Sequence, residues 1–453
     1  MSDKPVSEYA IRVYLADHER SDKAVEHHIP PRIRALRRSA LERFCALGFP
    51  SAKREEWRFT NVAPLANTPF HLARQAGAGH LPPGALDKAG VKGLGARRLV
   101  FLNGRYDTRL SSPGEMPAGV RIGSLMANLA HADPQAEGRL GESAPWHDHS
   151  FVALNTAFIG DGAFIHVPRG VVIEEPILLI FISIAAEHAV VSHPRNLIIA
   201  ERESQVCVVE SYYGPSGETY FTNAVTEIFA GEGARVGHYK LQREGDRAWH
   251  MATVGIRQER DSACEAHSAA FGAGFSRNDV TAVLGGAGCS AVLNGLTMIS
   301  GSQFADNHTR IDHAQPRCES QELYKGIFDE RARGVFNGRI IVRQDAQKTS
   351  AMQTNKNLLL TGTAMVNTNP QLEIFADDVK CSHGATVGRI DDEHIFYLRA
   401  RGISFDEARS IMTYAFANDV IRRIKPAPLR VLCEQIVLAV QDVPADFIVT
   451  EEK

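Results

Sequence analysis

The run Asp377-Asp378-Val379-Lys380-Cys381-Ser382-His383-Gly384-Ala385-Thr386 sets a thiol and an imidazole two residues apart. In a strand, residues i and i+2 point to the same face, so Cys381 and His383 stand side by side; a helix would splay them. The flanks, Leu372-Glu373-Ile374-Phe375 and Val387-Gly388-Arg389-Ile390, favour strand. A thiolate beside an imidazole is a donor pair suited to iron, zinc, copper or an iron–sulfur cluster. Two donors do not close a coordination sphere, so a metal here needs ligands from elsewhere. From spacing alone, a buried cysteine beside a hydrogen-bonded histidine is an equal alternative. Lys380 and Lys356 would favour the thiolate if they lay close to it.

A second polar constellation is Asp306-Asn307-His308-Thr309-Arg310-Ile311-Asp312-His313. On a strand, Asp306, His308, Arg310 and Asp312 share one face and His313 lies opposite. Two histidines and two carboxylates suit a metal or an acid/base pair. They equally suit a polar ladder that a stack of strands buries for structural reasons.

The elements that must position these groups fall into three zones. Residues 1–100 read as mostly helical: Pro30-Pro31 opens an amphipathic segment that stops at Gly48, its arginines read as a solvated face in preference to a partner surface. A Gly/Pro-rich linker follows at residues 75–95. Residues 101–400 read as β: short apolar runs such as Leu197-Ile198-Ile199-Ala200 and Val206-Cys207-Val208-Val209 alternate with Gly, Asn and Asp turns. A loose, uneven repeat and the scarcity of helices between the runs argue against βαβ units. They point to a solenoid, with a large sandwich as the alternative. Gly272-Ala273-Gly274 and Gly285-Gly286-Ala287-Gly288 read as its turns. Residues 401–453 return to helix. Ser404 and Glu407 form a capping box, and Ala408, Ile411, Met412, Ala415, Phe416 and Ile421 form an apolar stripe. A second helix runs from about Leu429 to Val440. The pair either packs on the β core or docks another protein.

Bulk properties exclude several classes. Fifty Lys plus Arg balance 53 Asp plus Glu, which gives no drive toward nucleic acid or an anionic membrane surface. No apolar run approaches the ~18 residues of a membrane span, and Met1-Ser2-Asp3-Lys4-Pro5 opens no signal-peptide core, so the expected location is cytoplasmic. Seven scattered cysteines without Cys-x-x-Cys argue against a disulfide framework and for buried small hydrophobes. Neither a phosphate loop for ATP, nor a dinucleotide Gly-x-Gly-x-x-Gly, nor a Gly-x-Ser-x-Gly elbow is present.

The C-terminal third resembles the SufB/SufD family, the β-helical scaffold subunits of the SUF iron–sulfur cluster assembly system. The resemblance is carried by Asp306-Asn307-His308 through His313, Gly326-Ile327-Phe328-Asp329, and Ala332-Arg333-Gly334-Val335-Phe336-Asn337-Gly338. It continues through Asp345-Ala346-Gln347-Lys348-Thr349, Gln353-Thr354-Asn355-Lys356-Asn357, Pro370-Gln371-Leu372-Glu373-Ile374, residues 377–386, and Phe396-Tyr397-Leu398-Arg399-Ala400-Arg401-Gly402-Ile403. Near the N-terminus, Glu55-Glu56-Trp57-Arg58-Phe59-Thr60 is similar to another family motif. Cys-Ser-His-Gly-Ala-Thr is the form of the D-type subunit; the B type has Glu-His here and a cysteine where this chain has Lys356. The resemblance implies a mainly β fold, a right-handed parallel β-helix flanked by helical N- and C-terminal regions. It implies a non-catalytic scaffold that pairs with a SufB-type subunit, or with itself when isolated. It also implies that a SufC-type ABC ATPase binds through the C-terminal helices. A transient iron–sulfur cluster or iron is expected at the subunit interface, with His383 and Cys381 as its donors from this chain and no cofactor held tightly by the isolated chain. The competing class is a metal-dependent or carbohydrate-acting β-helix enzyme using His308, Asp312 and His313.

Overall fold

The computed structural model describes residues 8–25, 29–73, 81–185 and 188–440. From residue 163 onward the chain alternates between two sheets. Arg195–Ala200, Tyr220–Ala230, Trp249–Gln258, Phe275–Leu284, Phe304–His313, Arg333–Val342 and Met365–Ile374 stack in parallel in the first. Gln205–Tyr213, Arg235–Arg243, Ala263–Ala270, Ser290–Ile299, Glu319–Phe328, Ser350–Leu359 and Lys380–Gly388 stack in parallel in the second. The result is a parallel β-solenoid of about eight turns, which meets the expectation of a β-helix and excludes a sandwich. The described connections between these strands are turns, without βαβ crossovers.

Register explains the sequence pattern. Ile198, Ile228, Ile256, Ala282, Ile311, Ile340 and Leu372 stand directly above one another and fill the interior from the first sheet. In six successive coils one corner carries a left-handed residue: Glu203, Gly233, Asp261, Gly288, Arg317 and Lys348, about 30 residues apart. Five non-equal intervals and four non-glycine occupants blur this corner in the sequence. Gly286 is required there for another reason: a Cβ would sit 2.1 Å from the Arg260 backbone nitrogen of the neighbouring coil.

The flanking helices cover the two outer faces. Tyr14, Phe44, Phe49, Trp57 and Phe70 of the N-terminal region pack with Phe221, Met251 and Phe275 of the first sheet. Ala417, Val420, Ile421, Leu429, Cys433 and Val437 of the C-terminal helices pack on Tyr239, Leu241, Leu296 and Leu323 of the second. The helix that Pro30-Pro31 opens runs Pro31–Leu47. Its Arg37 is a correction to the solvated-face reading: it is fully buried and donates to Ala157 O and Ile159 O, both at 3.1 Å. Part of the 75–95 linker lies outside the described residues; within the rest, Ala85–Ala89 is helical. The capping box forms, with Ser404 N donating to Glu407 Oε2 at 3.0 Å and Glu407 N to Ser404 Oγ at 3.2 Å.

The solenoid has unequal ends. At the N-terminal end, Arg98–Leu102 and Arg121–Ser124 pair over the first coil. At the other end, Met365–Ile374 and Lys380–Gly388 each pair with one strand, and their outer edges are open among the described residues.

Candidate metal centre

Cys381 and His383 lie on the last strand of the second sheet, Lys380–Gly388, in register with Ala351 and Gln353. Followed back coil by coil, His383 heads the row Gln353, Glu322, Leu293, Ala266, His238, Val208 and Ile177. That row faces the interior, since Ile177, Val208, Ala266 and Leu293 are core residues. Cys381 heads the parallel row Ala351, Ser320, Ala291, Cys264. The expected i, i+2 pair therefore shares a face, and that face is the mouth of the solenoid interior.

The two side chains differ in environment. His383 is exposed because no further coil covers it, whereas Cys381 is half-buried against the core. Burial raises the Cys381 thiol above its ordinary value, partly countered by a backbone hydrogen bond at Ala351. A raised thiol is protonated at neutral pH, so metal binding there releases a proton. The lysines do not counter this. Lys380 precedes Cys381 and so points to the opposite, outer face, and Lys356 is exposed on the outer face beside Thr386. Among the described residues no third His, Cys, Asp or Glu completes a metal-binding group. The donor set suits a soft or borderline cation and supplies only part of its coordination sphere.

The mouth is polar beneath these donors. Glu322 and Gln353 are buried, and Gln353 Nε2 donates to Glu322 Oε2 at 2.9 Å. Glu322 Oε1 accepts from Thr309 Oγ1 at 2.5 Å. Burial pushes the Glu322 carboxyl up to about 7, against the lowering effect of these two hydrogen bonds. The interior polar residues carry no period-2 signature distinct from a solvent face, so sequence pattern alone did not single them out.

The residues of the second constellation are not assembled into one site. Asp306 is buried between Arg277 Nη1 at 2.8 Å, Thr60 Oγ1 at 2.6 Å and His308 Nε2 at 3.0 Å. Burial alone would raise its carboxyl; His308 and Arg277 outweigh that and lower it. Asp312 is engaged on the outer face by Arg343, with contacts of 2.8 and 2.7 Å. His313 points inward, where its Nε2 lies 2.9 Å from Ser320 Oγ. The arrangement is the structural ladder, with His308 and His313 on opposite sides of the sheet.

The sequence matches two family models end to end: the SufBD protein N-terminal region over residues 10–179, and the SUF system FeS cluster assembly SufBD core domain over residues 181–416. The chain belongs to the SufBD family. The iron–sulfur cluster assembly protein SufD of Escherichia coli is 34% identical over 393 residues, 86% of this chain and 89% of that protein. A SufBD-family iron–sulfur cluster assembly protein of Synechocystis is 33% identical over 402 residues, 87% of this chain and 88% of the relative. SufD of Bacillus subtilis is 27% identical over 321 residues, 70% of this chain and 72% of the relative. Similarity to two SufBD proteins named SufD agrees with the D-type form of the Cys-Ser-His-Gly-Ala-Thr run. It places the His308, Asp312 and His313 enzyme reading behind that of an assembly-system protein. No helix among the described residues is long and apolar enough to cross a membrane.

Proposed function

We propose that this SufBD chain is a non-catalytic, cytoplasmic scaffold subunit of a SUF iron–sulfur cluster assembly complex. It pairs with a SufB-type subunit through the open end of its solenoid and binds a SufC-type ABC ATPase through its C-terminal helices. The chain works as three units: a helical N-terminal region over residues 1–100, a core over 101–400 in which the short helices Leu125–Ala130, Pro134–Arg139 and Ser150–Ala157 precede the β-solenoid coils, and a helical domain over 401–453. His383 and Cys381 contribute an imidazole and a thiolate to a transient cluster, or to iron on its way into one. The observation that carries the reading is their position: a soft donor pair at the uncovered mouth of the last coil, where no further His, Cys, Asp or Glu among the described residues completes the coordination. The same end supports pairing. Open strand edges are templates for a second chain, and Ile374, Phe375 and Val387 are exposed apolar groups beside them.

The test is co-expression with a SufB-type subunit and a SufC-type ATPase, followed by anaerobic spectroscopy and growth under iron limitation. His383→Ala removes a donor on an exposed strand without adding charge. It is expected to leave folding and co-purification unchanged and to cut cluster formation at least tenfold. Cys381→Ala is expected to act in the same direction but more mildly, because the sibling supplies thiolate. Wild-type cluster yield from His383→Ala would remove this residue from the mechanism.

A further inference from the structure

Gln353 sits one coil beneath His383 in the inward row, and only one end of its amide is engaged. Nε2 donates to Glu322 Oε2, and Glu322 is itself held by Thr309, so the carboxyl end fixes which way the amide faces. Gly338 makes room for it: a Cβ there would lie 2.3 Å from Gln353 Nε2. The other end, Oε1, is buried and accepts no hydrogen bond among the described residues. A buried acceptor left unpaired is costly and rare.

The neighbours narrow what can pair with it. In register, Gln353 has Glu322 below and His383 above, at the roughly 4.7–4.9 Å spacing of adjacent strands. On the facing sheet, Gly338 has no side chain and Pro370 no N–H. The Thr368 hydroxyl is already given to Asn355 Oδ1 at 2.8 Å, and the Asn355 amide to Tyr324 O at 3.1 Å. Of the two side chains in register with Gln353, Glu322 already accepts from its Nε2, and the imidazole of His383, one coil above, is the N–H donor; the Asn355 amide keeps a second N–H, two residues along the same strand.

We propose that Gln353 is the positioning residue of His383: its Oε1 accepts one ring N–H, which fixes a single tautomer and turns the other nitrogen's lone pair toward the open end. An imidazole that binds a cation through one nitrogen is commonly held by an acceptor on the other. Here the acceptor is an amide braced from below by Glu322, so the row Thr309, Glu322, Gln353, His383 orients the donor before any cation arrives. The inference rests on the reading of His383 as an iron donor, and it is tested on the metal-free chain so that the two fail separately.

The full-length chain is labelled with 15N-histidine, and long-range 1H–15N spectra give the tautomer ratio of His383, assigned by the signal lost in His383→Gln. The wild type is expected to show one dominant tautomer. Gln353→Leu, and Gln353→Asn, which keeps an amide but withdraws it by one methylene, are each expected to lower that ratio at least fivefold while thermal melting stays close to wild type. If Gln353→Leu does not fold, Gln353→Asn decides. The same ratio in wild type and variant overturns the proposal, whatever the complex then assembles. Normal assembly by His383→Ala overturns the iron-donor reading instead and leaves the tautomer result standing.

Discussion

His313 and Glu322 occupy the same interior and pull stability in opposite directions with pH. Burial pushes the His313 imidazole down to about 4 from an ordinary 6.5. Its unfolded form therefore takes up a proton that its folded form does not. The contribution is complete above pH 6.5 and is lost as pH falls toward 4. Burial pushes Glu322 up to about 7 from an ordinary 4.5. Its contribution is complete below pH 4.5 and is lost as pH rises through 7. Each amounts to roughly 3–3.5 kcal/mol as an upper bound, at 1.36 kcal/mol per pH unit. His313→Gln should flatten the acid limb of stability against pH, and Glu322→Gln the limb approaching neutrality. Denaturant unfolding from pH 4 to 8 reads both; variant curves parallel to wild type would reject the assignment. Neither group was legible as interior from sequence. His313 was placed on the face opposite Asp312 by strand alternation, but alternation does not say which face is the lumen, because this lumen carries polar rows.

At the scale of elements, the sequence announced the solenoid through short runs and glycine turns, and it announced the helix Phe405–Ile421 through its capping box. The orientation of that helix was less legible. Ala415, assigned to the apolar stripe, is exposed, while Ala408, Thr413, Ala417, Val420 and Ile421 face the core. Small and polar residues on the packed face, Ser410 and Thr413 among them, hid the stripe from a count of large hydrophobics. Lys325 also crosses this interface, its Nζ donating to Phe416 O at 3.0 Å and pairing with Asp419 at 2.9 Å. Core packing thus claims the inner face of both C-terminal helices, and the proposed ATPase docking is left to their outer face and to the exposed Phe396 and Tyr397. Two substitutions in the helix Ala427–Val440 separate the roles. Leu429→Ala, at 2% exposure, should cost roughly 2–5 kcal/mol in unfolding measurements. Val431→Glu, at 43% exposure, should leave melting within about 2 °C of wild type, as surface changes of under ~0.5 kcal/mol do. It should weaken ATPase co-purification severalfold. Full ATPase recovery with folded Val431→Glu would move the docking site elsewhere.

At the scale of the whole molecule, the N-terminal region is tied to the solenoid by buried charge as well as by aromatic packing. Arg277 of the strand Phe275–Leu284 is fully buried. It donates to Asp306 Oδ2 and to Glu56 O, both at 2.8 Å, and pairs with Asp279 at 2.8 Å. Its guanidinium lies 3.7 Å from the centre of the Trp57 ring. The motif Glu55-Glu56-Trp57-Arg58-Phe59-Thr60 thereby meets residues more than two hundred positions away, which no local pattern in either segment encodes. Thr60 closes the junction by donating to Asp306 Oδ2. Arg277→Leu would fill much of the volume but leave the buried carboxylate of Asp306 and the half-buried one of Asp279 without their guanidinium. Breaking a buried ion network from one side typically costs about 3–5 kcal/mol, because an uncompensated charge stays inside. The loss should reach the N-terminal region first: Trp57 becomes accessible, its fluorescence shifts toward that of water-exposed indole, and proteolysis near residues 51–62 precedes cleavage in the solenoid. The solenoid's own interior rows do not pass through Arg277, so a truncated product retaining strand signal in circular dichroism should persist. Simultaneous loss of both regions in one transition would show instead that the junction and the coils unfold as a single cooperative unit, with Arg277 as part of its core.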